Sequence, residues 1–292
     1  MNLYKLIIRT LKEKEQLSLV LQTFFLIAIT FIARLGRVSP GIAFPFLFLI
    51  LAAFIVGKKA IHNKWIWLAI FFILFSKIVE SFYSPANHHF LLMFSALLLF
   101  HVLWQPEEQR VAFLARNAKW LIVVVLFFVS LQKLMAPSYM NGEFFTYMLM
   151  RGHFFVPIPV LQPDYAEWSK QNLELLYEVR ALIPGEENCI SFSVEHPQIF
   201  SIAGKALSYF VLFIETAVCF IIALSNRQKL VHTSLLILVT CILLARPECG
   251  FLSILCGLGL SFCPPQLSRL RLAYLFFIVL FSSLIMMELV YY

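Results

Sequence analysis

The sequence predicts an all-α integral membrane protein: a polytopic bundle of about nine transmembrane helices, N-terminus cytoplasmic, with one extracytoplasmic helical insertion. Three observations carry that prediction. Of the 292 residues, 61% are hydrophobic and 13% charged, with a mean hydropathy of +0.85, whereas a soluble domain holds roughly a quarter charged residues. Apolar runs recur at close to the roughly 20 residues that cross a bilayer as helix, and the alternating pattern of a membrane barrel, about ten residues per strand, is not present. Lys and Arg are unevenly shared between successive connecting segments, as a fixed orientation requires.

Spans are expected near 17–34, 42–57, 65–83, 88–104, 119–136, 202–224, 230–245, 249–263 and 272–290. The first follows Lys5, Arg9, Lys12 and Lys14 and has no small-residue cleavage site, so it reads as a retained helix rather than a signal peptide. The eighth, "CGFLSILCGLGLSFC", is short and rich in glycine, and both a crossing and a re-entrant segment remain open for it. With the N-terminus inside, the cytoplasmic segments hold 14 of the 23 Lys and Arg, Lys58, Lys59, Lys64, Arg110, Arg116 and Lys119 among them. The segment 141–205, placed outside, carries eight acids against four bases. The formal charge of +7 therefore reports orientation, and no nucleic-acid partner is expected.

The chain reads as a single transmembrane domain, 1–292, interrupted by the insertion 141–201. Within the insertion, "DYAEWSKQNLELLYEVRAL" places Trp168, Leu175, Leu176, Val179 and Leu182 on one helical face, with Asp164 as a cap. The preceding "NGEFFTYMLMRGHFF" is too short and too mixed to cross, and its aromatic residues suit the interface.

Lys133, in "LFFVSLQKLMAP", stands near the end of an apolar span, where an ammonium is costly unless it snorkels or finds a partner. Pro137 follows four residues on, so snorkelling is one reading. The other is chemical: partial desolvation disfavours the charged form and leaves a neutral amine able to act as a general base. In "SPANHHFLLMFSALLLFH", Asn87, His88 and His89 stand at the mouth of another span. Asn87 suits an N-cap, and the histidines suit a wet interface. Depth supplies a second reading. Across the expected cytoplasmic loop 105–118, His88 lies about 24 Å above Trp104 and Lys133 about 21 Å above Lys119, so Asn87, His88 and Lys133 are expected to share one outer-face pocket.

Glu215, in "YFVLFIETAVCF", is a further ionisable group inside a span, and Lys77 and Glu80 are spaced to pair at i,i+3. No metal is predicted, since His101 is rotated away from His88 and His89 and no H-E-x-x-H pattern exists. Cys249, Cys256 and Cys263 recur every seven residues beside Gly250, Gly257 and Gly259, which reads as a small-residue packing stripe. Cys189 and Cys249 both fall outside, where a disulfide between them is open in an oxidising compartment.

Two linked segments carry a family resemblance. "ANHHFLLMFSALLLF" and "FVSLQKLMAPSYMNGEFFTYML" resemble the Asn-Asn-His helix and the Lys-Lys-Leu, aromatic, Gly, Tyr pattern of vitamin K-dependent gamma-carboxylase and of its bacterial relatives, the horizontally transferred transmembrane (HTTM) domain proteins. "CPPQ" at 263–266 is a weaker echo of a Cys-Ser-Pro-Glu. Gln132 stands where the family has its first lysine, and Tyr139 where it has a tryptophan. The resemblance implies Lys133 as the catalytic base, His88 as its associated histidine and Asn87 as a positioner. It also implies a reduced lipid quinone, a vitamin K-like hydroquinone, as cofactor, and a bacterial inner (plasma) membrane as the location. The expected activity is reduced-quinone-dependent carboxylation or oxidation in the bilayer. The alternative is a non-enzymatic protein for maturation, export or immunity of a secreted peptide or toxin, with that peptide or another membrane protein as partner. A transporter, motivated by Glu215 and Lys77, ranks behind both because no paired broken helices are visible.

Overall fold

The computed structural model describes residues 16–38, 58–80, 87–150, 174, 198–245 and 248–286; for 33–38, 58, 87, 150, 245 and 286 the description is of the backbone. Among the described residues every regular element is a helix: α1 (Gln16–Val38), α2 (Lys58–Ile61), α3 (Lys64–Glu80), α4 (Asn87–Trp104), α5 (Glu107–Met135), α6 (Pro137–Met140), α7 (Glu143–Met150), α8 (Gln198–Leu224), α9 (Gln228–Ala245), α10 (Cys249–Phe262) and α11 (Ser268–Met286). Among the described residues three stretches are long and apolar enough to cross a membrane: α5, α8 and residues 268–285 of α11. Shorter apolar helices occupy 16–32, 88–104, 228–244 and 249–262. The expected span 42–57 and the amphipathic segment 164–182 lie outside the described residues, apart from the helical Glu174.

One boundary differs in a way that matters. The charged stretch 105–118 is not a loop, because α5 starts at Glu107 and only Gln105 and Pro106 separate it from α4. Pro106 suits a helix start, and Glu107 and Glu108 place negative charge on the first turn, where the helix dipole favours it. The Gln109 amide donates to the Pro106 carbonyl (3.0 Å), and the Arg110 Nε–H donates to the Gln105 carbonyl (3.0 Å), tying the corner. At 29 residues α5 is about 44 Å long, well beyond the roughly 30 Å hydrocarbon core, so its charged first turns suit water and the rest is long enough to span.

The chain forms two compact units, one comprising residues to 125 with 218–243 and 247 onward, the other 126–217 with 244–246. In the first, α10 is the central element, packed by α1, α4 and α11, while α3 packs on α4. All of α10 except Phe262 is buried. That is why its glycines are there: a Cβ at Gly257 would meet Phe24 and Ile27 of α1 at 3.0 and 3.2 Å, and one at Gly259 would meet the Tyr274 ring of α11 at 2.7 Å. The stripe of Cys249, Cys256 and Cys263 is buried with them as free thiols, and Cys189 lies outside the described residues. Lys77 and Glu80 pair on the surface of α3 at 3.4 Å, an exposed contact worth little. At the start of α3, Lys64 lies 3.7 Å from the centre of the exposed Trp104 ring, with Trp65 beside it, the residue types that anchor helices at a membrane interface.

The second unit is built on the end of α5, the short α6 and α7, and α8 up to Ala217. Its core is Tyr139, Phe145, Met148 and Leu149, with Phe200, Ala203, Leu207 and Val211 of α8 packed against it. The described part of α7 is eight residues long.

Candidate functional site

The second unit brings together two ionisable residues that are 82 positions apart. The Lys133 amine donates to both carboxylate oxygens of Glu215, at 2.6 and 2.5 Å. Lys133 occupies the last turn of α5, and its side chain keeps 21% exposure; that of Glu215, inside α8, keeps 6%. Two full charges in so apolar a setting are tolerable because each cancels the other's field and the hydrogen bonds replace lost hydration.

Local sequence explains how the lysine comes to this place. α5 ends at Met135, Ala136 adopts an extended conformation (φ −93°, ψ 107°), and Pro137 opens α6 where its missing N–H costs nothing. This corner turns Tyr139 back over the lysine, so that the amine lies 5.3 Å from the centre of the phenol ring. Tyr139 is 6% exposed, and its hydroxyl has no hydrogen-bond partner among the described residues. Burial, and then the Glu215 carboxylate, push the phenol well above its ordinary range, so it is held as a neutral donor.

Glycine fixes the second half of the site. Gly142 has φ +83°, a left-handed conformation that suits glycine, and its carbonyl accepts the first α7 hydrogen bond from Thr146 (2.9 Å). A Cβ on Gly142 would lie 2.5 Å from the Lys205 nitrogen, and one on Gly204 would lie 2.7 Å from the Gly142 carbonyl and collide with the Thr146 hydroxyl. The Thr146 hydroxyl spans the contact, 2.9 Å from the Gly142 carbonyl and 3.2 Å from that of Phe200. Gly204 and Glu215 are eleven residues apart, three turns of α8, and so share a face. The glycine contact therefore sets the rotation of α8 that presents Glu215 to Lys133.

The other expected site residues belong to the first unit. Asn87 is the first residue of α4. His88 is half-buried, with its ring edge-to-face on Phe31 of α1 (5.5 Å), 4.4 Å from the His89 ring, and near the Gly250 backbone of α10. The pairing that the structure makes for Lys133 is thus with Glu215, which sequence reading marked only as an isolated intramembrane acid. Two residues carried no such mark. His232 is fully buried in α9, its Nδ1 3.1 Å from the Tyr274 hydroxyl and its ring against Phe262. Arg271 is buried in the first turn of α11. Neither announces itself by spacing, because burial there depends on which helix packs opposite. Among the described residues no three His, Cys, Asp or Glu side chains gather as a metal ion would need.

In comparison with known proteins, the chain matches no family model, no curated protein and no solved structure.

Proposed function

We propose that this protein is a gamma-carboxylase-like membrane enzyme of the HTTM type that uses a reduced lipid quinone in a bacterial inner membrane. In this reading nine spans run from a cytoplasmic N-terminus, and Lys133 is the general base near the extracytoplasmic face. The observation that supports it is the bidentate contact of Lys133 with Glu215. A lysine present only to anchor a helix end would direct its amine to headgroups; this one is held on a buried acid.

The pair also answers how a lysine can be a base in such a place. A proton passing from Nζ to the Glu215 carboxylate converts ammonium and carboxylate into amine and carboxylic acid. Net charge is zero before and after, so the apolar surroundings oppose neither form as they would a lone ion. The resulting amine takes the proton from an acidic hydroxyl within reach. Glu215 is in this scheme a positioning residue that holds the proton and fixes the amine, while His88 and Asn87 are assigned supporting electrostatic and positioning roles on the family resemblance. The surroundings fit an aromatic ring bearing an oxygen: a buried Tyr139 hydroxyl with no partner among the described residues, beside Phe144 and Phe145. When bound, a reduced quinone supplies an acidic hydroxyl and two electrons, with dioxygen as the acceptor.

Oxygen uptake with menadiol by the purified protein in nanodiscs tests the reading. Wild type consumes oxygen above the background autoxidation, and Lys133→Ala lowers that consumption at least about a hundredfold. Wild-type turnover by a folded Lys133→Ala variant excludes the catalytic reading and favours the peptide-maturation alternative.

A further inference from the structure

We infer that Tyr139 is the residue that binds the ligand's oxygen: its hydroxyl donates a hydrogen bond to the oxygen of an aromatic ring lodged beside the Lys133–Glu215 pair. This rests on the proposed function for the identity of the ligand as a quinol, but its own content is narrower, an aromatic ring carrying at least one hydroxyl or carbonyl oxygen.

Three features carry it. First, a hydroxyl buried without a partner among the described residues loses its hydration with nothing in return, and phenylalanine would fill the same space without that cost. Tyr139 sits in this condition at the centre of an otherwise apolar cluster, with Phe145, Met148 and Leu149. Second, the phenol ring lies beside the charged pair: the Lys133 amine is 5.3 Å from the ring centre, and Glu215 acts on the phenol electrostatically. A ring whose oxygen accepts from Tyr139 is then in the neighbourhood of that pair. Third, the neighbouring side chains match a flat ring. Phe144 lies tilted on Tyr139 (ring centres 5.8 Å, 30°), and Phe145 meets it edge-on (5.4 Å, 62°). Phe144 is only half-buried, so a rotamer change can turn it outward and let a ring of similar size take its place over Tyr139.

A chemical double-mutant cycle tests this without turnover. The wild-type protein and Tyr139→Phe, in nanodiscs under argon, are titrated with menadiol, with 2-methyl-1-naphthol, which has one hydroxyl, and with 2-methylnaphthalene, which has no oxygen; binding is read from quenching of intrinsic fluorescence. The expected result is that wild type prefers both hydroxylated probes over 2-methylnaphthalene by roughly tenfold, and that the preference collapses to near unity in Tyr139→Phe. Equal preference in the two proteins overturns the inference, as it would if a trapped water satisfied the hydroxyl. Should Tyr139→Phe fail to fold, the wild-type ratio alone decides, and indifference to the probe oxygen overturns the inference. Binding of 2-methyl-1-naphthol with the expected Tyr139 dependence, accompanied by no menadiol oxidation, keeps the inference and removes the quinol enzyme. Failure of wild type to bind any hydroxylated probe overturns it.

Discussion

At the scale of single residues, the central fact is that Lys133 and Glu215 share one contact, 2.5–2.6 Å long. Removing one member leaves the other's charge in an apolar place, whereas removing both with apolar replacements does not. Glu215→Leu is therefore expected to lower stability by about 1–3 kcal/mol, the partial exposure of Lys133 moderating the loss. The double variant Lys133→Met, Glu215→Leu should recover most of it while remaining inactive in oxygen uptake. Thermal unfolding in detergent measures the first, and a double variant less stable than the single would show that the pair is not the unit described. Both residues were legible in sequence as costly intramembrane charges, but their partnership was not. Depth counting joined Lys133 to His88 because a short connection suggests adjacent helices; Glu215 lies beyond a long insertion, and no local pattern says which face of α8 turns inward.

Elements show the same division between local and distant information. The end of α5 could be read from Pro137, since it follows from backbone chemistry within a few residues. The start of α5 could not, because charged residues in "EEQRVAFLARNAK" look like a cytoplasmic loop although they are good helix formers. The Gly142–Gly204 contact was likewise invisible, being made across 62 positions. It predicts that Gly142→Ala combines left-handed strain with a collision against the backbone of α8, a loss of about 2–4 kcal/mol. Thermal unfolding again reads it; an unchanged midpoint would mean that α7 does not depend on this crossing. The glycines of α10 follow a similar logic in the first unit, where a 14-residue helix, about 21 Å long, is surrounded by α1, α4 and α11.

On the scale of the whole molecule, composition and the length of the apolar runs were enough for the helical class, and the described helices agree with the predicted apolar runs to within a few residues at most ends. Orientation is argued from charge, so it needs its own measurement. In a variant lacking native cysteines, a cysteine replacing Asn141 is expected to react with a membrane-impermeant maleimide added outside intact cells, and one replacing Ser225 only after the membrane is opened. Reaction of both from the same side would overturn the nine-span arrangement. The paired charges have a consequence at this scale as well. A lone ammonium moved through the bilayer field would exchange about 2.3 kcal/mol per 100 mV. A proton hopping between Lys133 and Glu215 travels only a small fraction of the membrane thickness and leaves their summed charge at zero, so chemistry begun there would be indifferent to the membrane potential, running alike in energised and resting cells.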